Sequence, residues 1–169
     1  IIKHSTPFDQ PRPIIPFESK GSPMLEIQVV DIADEIAYDN HDLDDGIMSG
    51  LIKEEDLRKV RMWREQDAII RKRYPRIKDE MRRFQVIKSI INLQVTDILN
   101  QTEANVKKFN IKKASDVAKI PERVVAFSKP TQPLRAAMRE FLMVKLYQHY
   151  RVIRMSNKAH RFIESLFTN

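Results

Sequence analysis

Cysteine is absent from the 169 residues. That excludes disulfides, thiolate nucleophiles, iron–sulfur clusters and cysteine-ligated zinc, and it fits a reducing compartment. Glycine occurs three times, at Gly21, Gly46 and Gly50, so no glycine-rich phosphate loop can be built. No apolar run approaches the ~18 residues a membrane-spanning helix needs. The opening residues lack the charged–apolar–small signature of a secretory leader, and none is expected. Strand signals and internal repeats are nearly absent too. What remains is 42% hydrophobic and 31% charged, an ordinary composition for one domain that buries a core.

The charge is unevenly spread. Residues 1–52 carry three Lys/Arg against ten Asp/Glu, whereas residues 53–169 carry 27 against 13. The overall +7 therefore hides an acidic first third and a basic remainder, and the two need separate explanations. Five of the nine prolines fall in residues 7–23, which reads as an extended loop containing Phe8, Ile14, Ile15 and Phe17. Ser22-Pro23 reads as an N-cap and first helical position, with helix to Tyr38. A separate short helix is expected over Asp42–Gly50, weakened by Gly46. Lys53–Tyr74 reads as helical with a break near Arg61–Trp63. Arg76–Phe109 reads as one long amphipathic helix, with Phe84, Ile87, Ile91, Val95 and Ile98 facing the core. Ser115–Ile120 is expected as a short helix capped by Ser115, Val124–Phe127 as extended, and Pro133–Tyr150 and Asn157–Phe167 as two helices joined through Arg151–Ser156. Leu57, Met62 and Trp63 are expected to be buried, as is a stripe of Phe127, Leu134, Met138, Phe141, Leu142 and Leu146. The fold class is all-α, a helical bundle.

The acidic third holds the most informative segment, SPMLEIQVVDIADEIAYDNHDLDDG. At ~100° per residue, Leu25, Val29, Ile32, Ala33 and Ile36 cluster on one side. Asp34, Tyr38 and Asp42 form an i, i+4, i+8 ladder on the other, with Asp31 beside it. Like charges on one face repel and resist desolvation. Such a ladder is either a solvated acidic surface or a wall for a metal or polar ligand, since Asp offers a hard oxygen and Tyr a hydroxyl on a stackable ring.

The run QVVDIADEIAYDNHDLDDGIMSGLI closely resembles the deoxyguanosine triphosphate triphosphohydrolase family of HD-domain phosphohydrolases. Its flanks IIKHSTPFD and SGLIKEEDL agree, and LYQHYRVIRMSNKAHRFIESLF resembles the family's closing segment. The resemblance covers most of the chain. It implies the end of a metal-dependent HD domain over residues 1–52 and a helical phosphohydrolase-associated region over 53–169. It also implies hydrolysis of a deoxynucleoside triphosphate, dGTP first among them, to the deoxynucleoside and tripolyphosphate. Within that pattern Asp34 stands where the family has its last metal ligand, Tyr38 where a ring lies against the deoxyribose, and Asp42 where a carboxylate binds the 3′-hydroxyl. Arg83, of the Arg82-Arg83 pair, is the expected phosphate-side arginine.

The resemblance also shows a gap. The family's other metal ligands, a His and a His-Asp pair, precede this segment and are not in the sequence. His41-Asp42 is an HD dipeptide and His4 lies upstream, but that match is rejected because Asp42 already fits the sugar position. The chain starts inside what resembles a family helix, so it is either a C-terminal piece of a longer chain or a degenerate homologue, and the start favours the piece. The piece itself is expected to hold no catalytic residue of its own, to bind the divalent metal (Mg²⁺ or Mn²⁺) poorly and to be inactive. The family further implies a cytoplasmic homo-oligomer, with a regulatory nucleotide or single-stranded DNA as a further partner and no membrane.

Three basic groups fill the remainder: Arg71 to Arg83; Lys107, Lys108, Lys112 and Lys113; and Arg151, Arg154, Lys158 and Arg161. Each reads first as a solubilising face. Arg151 and Arg154 are expected in a loop that reaches nucleotide or a neighbouring subunit. His149 and His160 read as surface residues. The rival to an enzyme is a non-enzymatic helical module that binds nucleic acid or a protein through this basic surface.

Overall fold

A computed structural model describes residues 21–167. The expected loop over residues 7–20, and His4, lie outside the described residues. Among the described residues seven α-helices follow in order: α1 Leu25–Met48, α2 Glu54–Leu57, α3 Arg61–Arg73, α4 Asp79–Lys108, α5 Ala114–Val117, α6 Thr131–Leu142 and α7 Tyr150–Phe167. A π-helical turn, Met143–Tyr147, follows directly on α6. No strand occurs among the described residues, and the class is all-α.

Several boundaries differ from the sequence expectation. The two helices expected between Pro23 and Gly50 are one, α1, which runs unbroken from Tyr38 through Asp42, and Gly46, expected to weaken the second, is buried inside it. The Gly46 carbonyl accepts from the Ile52 amide at 2.8 Å, and a Cβ at Gly46 would lie 2.4 Å from Ile52 Cδ1. The missing side chain thus lets the returning loop lie against the helix. Ser22 is not an N-cap; its hydroxyl donates to the Ile120 carbonyl at 2.7 Å. The break after α2 covers Arg58–Val60. Val124–Phe127 is irregular, not extended into a strand. The last two helices part at Gln148-His149 rather than at Arg151–Ser156, so Arg151 and Arg154 lie in α7 and not in a loop.

The chain forms two compact units. One takes in residues 21–38 and Lys88–Pro133. Its apolar clusters are Ile32, Ile36, Val125 and Phe127, with Leu25 and Ile98 against them, and Val117, Ile120 and Val124, with Val106, Phe109 and Ile111 against them. Polar side chains stitch the irregular 120–130 segment to the helices. The Gln28 side-chain oxygen accepts from the amides of Val124 (2.8 Å) and Val125 (3.1 Å), and its nitrogen donates to the Pro23 carbonyl (2.7 Å). Asn105 donates to the Val124 carbonyl at 2.8 Å. The Asp97 carboxylate accepts from the Ser128 amide, the Ser128 hydroxyl and the Thr131 hydroxyl, which starts α6 at Thr131.

The other unit takes in Asp39–Ile87 and residues 134–167. Leu43, Ile52, Leu57, Met62, Trp63, Val86, Met138, Leu142 and Leu146 are buried there. Arg82 is only 2% exposed and is hydrogen-bonded to the carboxylates of Glu54, Asp67 and Asp79. Of the Arg82-Arg83 pair, Arg82 is therefore the inward one, and Arg83 is half-buried.

The expected core face of α4 is off by part of a turn. Phe84 is 58% exposed and Ile91 and Val95 are also exposed, while Val86, Ile87, Ile90 and Gln94 are buried. On α1 likewise, Val29 and Ala33 are exposed, whereas Gln28 and Asp31 are fully buried. In α7 no residue is buried.

Candidate functional site

The single helix α1 sorts its carboxylates by partner. Asp31, expected beside the exposed ladder, is instead buried, and Arg123 Nη2 donates to it at 2.8 Å. Asp39 is buried as well: Arg135 Nη2 donates to it at 2.8 Å, and Arg139 Nε reaches both of its oxygens at 3.0 Å. Burial pushes the Asp39 carboxyl above the ordinary range, and the charges of Arg139 and Arg135 offset this only in part. A carboxylate so buried is held only because two guanidiniums pair with it.

Asp34, Tyr38 and Asp42 are the ladder members that keep access to solvent. Asp34 and Asp42 are half-buried and Tyr38 is 48% exposed. Because α1 is unbroken, the three stand at i, i+4 and i+8, a rise of about 6 Å per step. His41 is exposed.

At its far end the ladder gains a partner that the sequence reading missed. The Tyr147 hydroxyl donates to the Asp42 carboxylate. Burial, this hydrogen bond and the negative charges of Asp42 and Asp39 push the Tyr147 phenol well above its ordinary value, so it stays a neutral donor throughout the physiological range. The π turn ends on Tyr147.

Among the described residues no three His, Asp or Glu side chains converge as a metal group would require. Asp34 alone offers one oxygen ligand, and divalent ions need several. These residues by themselves do not fit a divalent metal ion. No described helix is long and apolar enough to cross a membrane. Arg151, Arg154, Lys158 and Arg161 are all exposed on α7.

Residues 125–169 match the phosphohydrolase-associated domain. A deoxyguanosinetriphosphate triphosphohydrolase-like protein of Geobacter sulfurreducens is 39% identical over 168 residues, 99% of this chain and 44% of the relative. The protein of the same name from Geobacter metallireducens is 40% identical over the same length, and one from an Azoarcus species 39% identical over 151 residues. Over 99% of its length the chain is similar to deoxyguanosinetriphosphate triphosphohydrolase-like proteins, consistent with the resemblance of the IADEIAYD run, and it spans less than half the length of these curated relatives.

Proposed function

We propose that the whole protein hydrolyses a deoxynucleoside triphosphate, dGTP foremost, to the deoxynucleoside and tripolyphosphate, and that α1 lines the nucleotide site. In this reading Asp34 supplies one oxygen to a divalent metal ion, Mg²⁺ or Mn²⁺, whose remaining ligands lie beyond the described residues. When bound, such an ion would supply Lewis acidity at the phosphates. Tyr38 lays its ring against the deoxyribose, and Asp42 accepts from the 3′-hydroxyl. Arg83 stands on the phosphate side. Such a site operates in the cytoplasm, in a homo-oligomer that a further nucleotide or single-stranded DNA regulates.

The observation that carries this reading is the sorting of carboxylates on α1. Asp31 and Asp39 are consumed by arginines, while Asp34, Tyr38 and Asp42 remain accessible on one stripe of one helix. In the whole protein, Asp42→Ala should raise KM for dGTP more than about tenfold, the worth of one charge-assisted hydrogen bond, with a smaller effect on kcat. An unchanged KM removes Asp42 from the site. The 169-residue chain alone should not turn over dGTP in the presence of Mn²⁺, and turnover by it would contradict the assigned ligand set.

The exposed basic residues of α7 favour one second reading, nucleic-acid binding by the chain itself. That reading requires binding of single or double strands whose affinity falls steeply with salt.

A further inference from the structure

The connection between α3 and α4, away from the α1 stripe in sequence, is open, apolar and strongly basic. Tyr74, Pro75, Ile77 and Met81 give a groove of about 640 Å³ its apolar walls, and Arg73, Arg76 and Gln85 are the polar residues that line it. Tyr74 and Met81 stay 43% and 53% exposed. Residues 71–85 hold seven Lys/Arg against two Asp/Glu. Arg71 and Arg82 hold carboxylates, whereas Lys72, Arg73, Arg76 and Lys78 have no ion pair among the described residues. The walls are fixed in place. Arg82 on α4 bridges to Asp67 on α3 at 2.5 Å. In the turn itself the Tyr74 amide donates to the Ile70 carbonyl at 2.9 Å, and the Ile77 amide to the Tyr74 carbonyl at 3.1 Å. All of these residues belong to one compact unit.

We propose that this groove docks an acidic peptide segment of another protein, with a bulky apolar side chain seated on Tyr74, Ile77 and Met81 and the flanking carboxylates on Arg73 and Arg76. An exposed apolar patch flanked by unpaired charge of one sign suits a partner of the opposite sign. Charge alone would suit nucleic acid equally, but the walls favour a peptide. Pro75, Ile77 and Met81 are aliphatic and offer no flat face for a base. The Arg73 guanidinium lies 5.6 Å from the centre of the Tyr74 ring, so the aromatic residue among them is already engaged on one side. Gln85 is the single uncharged polar side chain in the lining that could read a base edge. A second copy of this chain does not supply the segment from its acidic run, because residues 39–45 lie within α1 and Leu43 among them is fully buried. With the walls already held by Arg82, ordering on binding falls mainly on the peptide.

The test titrates the whole protein into a fluorescein-labelled peptide that carries Leu-Phe between two Glu-Asp-Glu runs, followed by fluorescence anisotropy. The unaltered protein should bind it, and a peptide with Ser-Ser in place of Leu-Phe should bind more than about tenfold more weakly. Arg73→Glu combined with Arg76→Glu should weaken binding by more than about tenfold, because the reversed charges repel the carboxylates. Met81→Asp should do the same by removing the apolar seat. All three side chains are exposed, so these variants leave the core intact. Arg161→Glu, a charge reversal on the exposed surface of α7, should change the affinity by less than about twofold. No binding by the unaltered protein, equal binding of the Ser-Ser peptide, or equal weakening by Arg161→Glu overturns the proposal. So does an oligothymidylate that displaces the peptide and is itself lost in the same variants, which would make the groove a nucleic-acid site.

Discussion

Arg82→Met is the most informative perturbation of the fold, and it separates two adjacent arginines that look alike in sequence. Arg82 is 2% exposed, and its guanidinium serves Glu54, Asp67 and Asp79 at once. Asp79 is largely exposed and loses little. Glu54 and Asp67 keep only 22% and 18% of their side-chain surface, and without Arg82 their remaining cation is Arg71, half exposed. Removing one partner of a buried pair costs about 3–5 kcal/mol because charges are left unpaired in a dry site. Partial exposure of the two acids places the expected loss near the lower end, about 3 kcal/mol. Arg83→Met should cost less than about 0.5 kcal/mol. Urea unfolding of the chain followed by far-ultraviolet circular dichroism measures both.

The pH dependence has a definite sign. Burial works against the Asp67 carboxylate, but hydrogen bonds from Arg71 and Arg82 outweigh it and hold its pKa below the ordinary range. A depressed folded pKa contributes stability that is present above the unfolded value of about 3.9 and is lost as pH falls through the folded value. The gap between the unaltered chain and Arg82→Met should therefore narrow in acid below about pH 4. Equal losses for the two arginine variants, or a gap that widens in acid, would refute the reasoning.

Two further variants probe the polar stitching of the first unit. Gln28→Leu leaves the Val124 and Val125 amides without their acceptor, and at about 1–3 kcal/mol for each orphaned donor it should cost about 2–5 kcal/mol in the same unfolding assay. Asp97→Ala removes the acceptor of three bonds at the start of α6 and should cost about 1–3 kcal/mol, with amide exchange accelerated first at Ser128 and the opening turn of α6.

The helices themselves were legible in the sequence, because three- and four-residue apolar spacing and proline punctuation are local signals. Leu57, Met62 and Trp63 are buried as their pattern implied. The faces were harder to read. On α4 two stripes compete, one through Phe84, Ile91 and Val95 and one through Val86, Ile90 and Gln94. Apolarity favours the first, yet the second is buried, and farther along α4 the buried Asn105 finds its acceptor on Val124. On α1, Gln28, Asp31 and Asp39 are drawn inward by partners 92 to 100 residues away in sequence. No local period encodes those partners. The candidate ladder Asp34, Tyr38 and Asp42 was readable because one helix carries all of it. Tyr147, Arg135 and Arg139 were not, since only tertiary folding brings α6 and its π turn to α1.

The most direct test of the central claim is tripolyphosphate release from dGTP by the whole protein with Mg²⁺ or Mn²⁺, compared between the unaltered enzyme and Asp34→Ala. The proposed role of Asp34 as a metal ligand predicts a fall of more than about a hundredfold, since even residues that only support metal ligands cost 10- to 100-fold. Near-normal release by Asp34→Ala, with the protein folded, would contradict it.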